Sequence, residues 1–196
     1  MTVYKPKAEI PTIDCCLVTV SFKSGETTKE IGFDTANKIE VEVQTEEEDA
    51  VKLVVKGKLR AQKEAVSTIT GNKLTLTDNV FNPELVLLMQ GGTITYDATD
   101  KTKVTGYTPP VVGSDDKGEA FVLNAYSAQY DASGTIVQYE KISYPNCKGV
   151  PISFNSEDGA FRAPEYTINS APAEGEAPYD ITYIAALPTL EAQPTA

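Results

Sequence analysis

The sequence predicts a mainly β chain: a β-sandwich or barrel-like domain with one short α-helix and extended loops or arms. Three observations carry that prediction. Segments alternating apolar and polar residues recur along most of the 196 residues, as half-buried strands require. Clusters rich in Gly, Asn and Asp separate them and supply turn chemistry. A single segment, 82–90, carries helix-end signals on both sides.

Taken in order, 16–22 alternates well, and Lys23-Ser24-Gly25-Glu26 turns it into a second strand over 27–33. Asp34-Thr35-Ala36-Asn37 turns that into a third over 38–43. The acidic run Glu46, Glu47, Glu48 and Asp49 follows, then an apolar strand over 51–55. Residues 57–64 fit either a strand or the start of a helix. Leu74-Thr75-Leu76-Thr77 is a strand that Asp78-Asn79 breaks.

The helix comes next. Asn82 is placed to cap free backbone amides, Pro83 suits the first helical position, and Glu84 sits at the positive end of the helix dipole. Phe81 and Val86 have the spacing of a hydrophobic staple, and Leu85 and Leu88 supply apolar surface. Gly91 and Gly92 stop the helix after about two turns. A helix this short is marginal alone in water, so it must dock on something apolar.

Beyond it, 93–96 and 103–107 read as strands joined by Asp97-Ala98-Thr99-Asp100. Pro109-Pro110 interrupts any sheet, and 113–118 is a solvated link. Segments 120–129 and 135–144 flank Asp131-Ala132-Ser133-Gly134 as a hairpin, with aromatics suited to cross-strand pairing. Prolines 151, 164, 172, 178, 188 and 194 keep the last quarter short-stranded. There, 163–170 is extended, 171–178 is a linker, 179–185 is a strand and 188–196 frays. The expected organisation is one domain over 1–170, with 171–196 a proline-rich segment belonging to it.

Composition narrows function. Hydrophobic content of 41% and charged content of 23% predict a packed core. A net charge of −11, from 28 acidic and 17 basic residues without a lysine-rich run, argues against tight nucleic-acid binding. No segment approaches the ~20 apolar residues needed to span a bilayer, and the first 16 residues lack a signal peptide's apolar run, so synthesis in the cytoplasm is expected. Cys15, Cys16 and Cys147 lack framework spacing and read as free thiols; a strained vicinal disulfide is the alternative for the first two.

With no histidine, the commonest general base and histidine-ligated metal sites are excluded. No catalytic, cofactor-binding or metal site is expected. Carboxylate pairs suited to glycoside hydrolysis are weighed against solvated surface acids, and the absence of tryptophan disfavours sugar stacking. Asp97, Asp100, Asp115, Asp116 and Asp131 lie in loops and offer oxygen ligands of the kind calcium takes, but EF-hand spacing is absent.

Three stretches, the strand–helix–GlyGly unit over 71–92, the long hairpin over 120–144, and 163–187, together resemble the major tail tube protein of long-tailed, siphovirus-type bacteriophages. The resemblance implies a non-enzymatic virion protein, made in the bacterial host cytoplasm, whose subunits form hexameric rings that stack into a tube. It also implies tape-measure and tail terminator proteins as partners, and DNA passing through without specific binding. In that family an extended loop or hairpin lines the bore and holds the next ring. Glu46 to Asp49 is then either a solvated turn or part of an acidic bore-lining loop within 24–64, one that repels phosphates. The alternatives are another virion β-sandwich component (decoration protein, tail terminator or contractile-particle tube) and a carbohydrate-binding module.

Overall fold

The computed structural model describes residues 4, 11–115 and 117–191. Among these, antiparallel strands dominate and one helix is present. The main sheet has the order β2 (Thr27–Phe33), β1 (Thr12–Ser24), β9 (Phe121–Tyr130), β10 (Ile136–Gly149), β11 (Glu165–Ser170), β6 (Ser67–Asp78), β3 (Ala36–Glu47), with β12 (Asp180–Ile184) also on β10. Two hairpins stand apart: β4 (Val51–Val55) with β5 (Lys58–Lys63), and β7 (Thr93–Tyr96) with β8 (Val104–Thr108).

Strand β10 turns the sheet back on itself. Its residues 139–143 lie between β9 and β12, and Cys147 to Gly149 lie beside β11 instead. The change of neighbour happens at a bulge where Asn146 takes φ 46 and its side chain donates to the Ala171 carbonyl at 2.5 Å. Period-2 alternation then sends Val18, Val20, Leu123, Tyr144, Cys147, Tyr166, Ile168, Leu74 and Leu76 into one buried cluster. That cluster is the core of a β-sandwich-like fold.

The helix α1 (Pro83–Gln90) closes the cluster with Leu85, Val86, Leu88 and Met89. Asn82 Oδ1 accepts from the amides of Glu84 at 3.0 Å and Leu85 at 3.2 Å, and the Asn82 amide donates to the Tyr166 hydroxyl at 3.1 Å. Gly91 and Gly92, at φ 79 and 99, end it. Gly149 lets the helix approach β10: a β-carbon there would overlap the Met89 side chain. The staple residue Phe81 packs on the core beside Phe154, ring centroids 5.7 Å apart.

The opposite face of β10-β9-β1-β2 carries a polar chain. Ser143 donates to Asn124 at 2.8 Å, Asn124 to Thr19 at 3.0 Å, and Thr19 to Glu30 at 2.5 Å. Past β12, Leu190 lies against Gly32, where a β-carbon would overlap its side chain. Of the end expected to fray, 188–191 form no strand or helix, and Leu190 remains 46% exposed. Residues 192–196 of that expectation lie outside the described residues, as does Asp116.

Burial pushes the Cys147 thiol up to about 11 and the Tyr144 phenol up to about 12, the latter helped by Tyr179, Cys147 and Glu140 nearby. The unfolded chain ionises these groups from the ordinary 9 and 10 upward. Their contribution to stability is therefore complete below pH 9 and lost as pH rises through about 12. The urea midpoint is expected to be flat from pH 7 to about 9 and then to fall, and Tyr144→Phe should remove part of the fall.

Candidate functional site

The most unusual element is a ribbon that leaves the core. Strands β3 and β6 pair from Ala36 opposite Asp78 to Glu47 opposite Ser67. The Glu48 amide donates to the Val66 carbonyl at 2.9 Å, and Val51 opposite Lys63 continues the same register through β4–β5. The β3–β6 pair and the β4–β5 hairpin are thus one ribbon, interrupted only around Asp49-Ala50 and Glu64-Ala65. Burial ceases near Gly71, so the part beyond Gln44, ending at the Lys56-Gly57 turn, has no core beneath it. At ~3.3 Å per residue it reaches roughly 40 Å.

Local chemistry explains why it forms. Val51, Val54 and Val55 favour extended backbone, and Lys56 and Gly57 both take positive φ, 50 and 76, as a two-residue hairpin turn requires. What the ribbon lacks is cover. Val51 is 64% exposed, Leu53 56%, Val54 57% and Leu59 56%. A lone two-stranded hairpin is marginal in water, and apolar residues on both of its faces mark a surface awaiting a partner.

The free strand edges agree. Among the described residues, β2, β3 and β12 each have one strand neighbour. Strand β3 is 12 residues long and exposes Val41 and Val43 along its edge. A long edge of this kind is a template for pairing with another chain.

The acidic run sits on the ribbon's stem. Glu46 and Glu47 are within β3, so the reading of 46–49 as a turn is corrected: register with Thr68 and Ser67 keeps the backbone extended there. All four acids are exposed, and Glu48 meets Lys63 at 2.6 Å. That pair is open to water on both sides and contributes little. The helix residues Asn82, Pro83, Glu84, Leu85, Leu88, Gly91 and Gly92 belong to capping and core packing around α1.

One feature of the ribbon escaped the sequence reading. Pairing β4 with β5 gathers Lys52, Lys56, Lys58, Arg60 and Lys63, while 51–63 contains no acid. The basic residues are interleaved with apolar ones on two short strands and form no consecutive run; counting charge over a predicted hairpin would have found them.

Sites of chemistry are a different matter. Among the described residues, no three of His, Cys, Asp and Glu converge as metal ligands. The loop acids serve their own turns: Asp97 accepts from the amides of Thr99 and Asp100, Asp100 from Thr102, and Asp131 from Ser133 and Thr135. These hydrogen bonds hold all three carboxyls below the usual range. The cysteines are free thiols, and burial raises Cys15 and Cys16 above the ordinary thiol value. A cavity of about 540 Å³ between α1 and β8 is lined mainly by aromatic and apolar groups, with Arg162 5.4 Å over the Phe154 ring. No described helix is long and apolar enough to cross a membrane.

The chain matches no protein-family model and no curated protein sequence. Among solved structures it is similar to a chain of the anti-feeding prophage baseplate, determined by cryo-electron microscopy with 6-fold symmetry applied. The two share 10% identity and a TM-score of 0.32 over 93% of this chain and 98% of that one. A TM-score of this size does not establish a shared fold.

Proposed function

We propose that this protein is a non-enzymatic structural subunit that self-assembles, forming stacked hexameric rings of a phage tail tube. The single observation that supports this best is the ribbon: roughly 40 Å of extended backbone whose apolar side chains are uncovered among the described residues. A monomeric function gives no reason to keep such a surface in water, whereas identical copies cover it and complete each other's strand edges. The resemblance of 71–92, 120–144 and 163–187 to tail tube proteins supplies the ring and the tube. In that setting DNA passes through without specific binding, and tape-measure and tail terminator proteins are the neighbours.

Electron microscopy of the purified protein at high concentration tests the proposal. Rings or short tubes are expected. A monodisperse monomer that also joins no tail contradicts it.

A further inference from the structure

The ribbon tip and the chain's C-terminal part are opposite in charge. Residues 51–63 hold five of the 17 basic residues and none of the 28 acids, so this hairpin carries +5 and the remainder of the chain −16 of the net −11. From Ala163 onward there are five acids and no base. Three of those acids, Glu174, Glu176 and Asp180, lie in or beside the turn leading into β12. Strand β12 pairs with β10 along one edge, and its other edge has no strand among the described residues. It exposes Ile181 and Tyr183, and the adjoining Tyr179 is exposed too.

We infer that the β4–β5 hairpin of one copy docks on the free edge of β12 in a second copy, its basic residues meeting Glu174, Glu176 and Asp180. This rests on the self-assembly reading and names the receptor within it. Backbone pairing supplies attachment, Leu53 and Val55 meet the apolar residues of β12, and opposite charge steers the docking. Of the competing edges, β2 carries Lys29 with Glu30, and the four acids of β3 are partly met already, Glu40 by Lys38 at 2.6 Å and Glu42 by Lys73 at 3.7 Å, while Glu46 and Glu47 lie on the ribbon's own stem. The contact joins two different surfaces of the same chain, so it propagates from copy to copy. A hairpin of this charge would also attract polyanions. Its interleaved Val51, Leu53, Val54 and Leu59, and the −16 of the rest of the molecule, favour a protein partner.

A charge exchange tests this in the full chain. Reversing the tip (K52E/K58E/R60E) or the receptor (E174K/E176K/D180K) should each weaken self-association by about 100-fold or more in sedimentation velocity, since like charges brought together at an interface cost several kcal/mol. Combining all six substitutions should restore association to within about tenfold of wild type. Circular dichroism checks that each variant is folded. Failure of the six-fold variant to recover, or wild-type association by the tip variant, overturns the proposal. Two further measurements separate that outcome from failure of the self-assembly reading: normal association by a variant lacking 49–65 rules out the ribbon as the joining element, and wild type that stays monomeric overturns the self-assembly reading itself. Retained association by the tip variant, together with tight duplex-DNA binding by wild type that the tip variant loses in fluorescence anisotropy at 50 mM salt, assigns the hairpin to nucleic acid and also overturns the proposal.

Discussion

Replacing residues 49–65 with a two-residue Asn-Gly turn should leave the body folded and abolish self-association. Glu48 and Val66 are already hydrogen-bonded across the ribbon at 2.9 Å, so a tight turn closes the stem at its existing width. None of the deleted residues contributes to the buried cluster. The urea midpoint of the body should therefore move by no more than corresponds to about 0.5 kcal/mol, the usual range for changes away from the core. Association should weaken by at least about 100-fold, because the deletion removes the uncovered apolar anchors around which an interface is built. Sedimentation velocity and urea titration together separate loss of assembly from loss of fold. A truncated chain that assembles like the parent would rule out the ribbon as the joining element.

The second large effect concerns Tyr166. It is wholly buried where β11, β6 and α1 meet, and its hydroxyl accepts from the Asn82 amide at 3.1 Å, joining core to helix cap. Tyr166→Ala leaves a cavity the size of an aromatic ring and should cost about 3–5 kcal/mol. That is a large part of the 5–15 kcal/mol typical of a folded domain. With a urea m-value on the order of 2 kcal/mol/M, the midpoint should drop by about 2 M. Tyr166→Phe keeps the ring but strands the Asn82 amide, and should cost about 1–3 kcal/mol. Equal losses from the two substitutions would mean that the hydroxyl contact carries the whole effect and that the ring's packing contributes nothing measurable.

The elements legible in the sequence were those whose cause is local. Asn82, Pro83 and Gly91 mark both ends of α1 because capping depends only on neighbouring residues. The alternation in 16–22 and 120–129 shows because those strands have one face on the core. Elements set by distant partners were harder to see. Strand β6 begins at Ser67, well before the Leu74-Thr75-Leu76-Thr77 signal, because β3 holds residues 67–73 extended and Gly71 passes close to the Ser170 carbonyl. Residues 57–64, open between strand and helix, contain β5 because β4 pairs with it. Strand β10 continues past Pro145, beyond the 135–144 expected, because the bulge at Asn146 takes up the irregularity. In the candidate site, the acidic stem was visible as a run of like residues. The basic tip was not, since its charges come together only when two strands pair.

Hydrogen–deuterium exchange on assembled and dissociated protein tests the central claim most directly. If the ribbon is an unfinished surface that neighbouring copies complete, amides in 51–63 and along β12 should exchange rapidly in the dissociated chain and become protected in the assembly. Amides of the buried cluster should remain protected in both. Assembled particles whose 51–63 amides exchange as fast as those of the free chain would contradict the account.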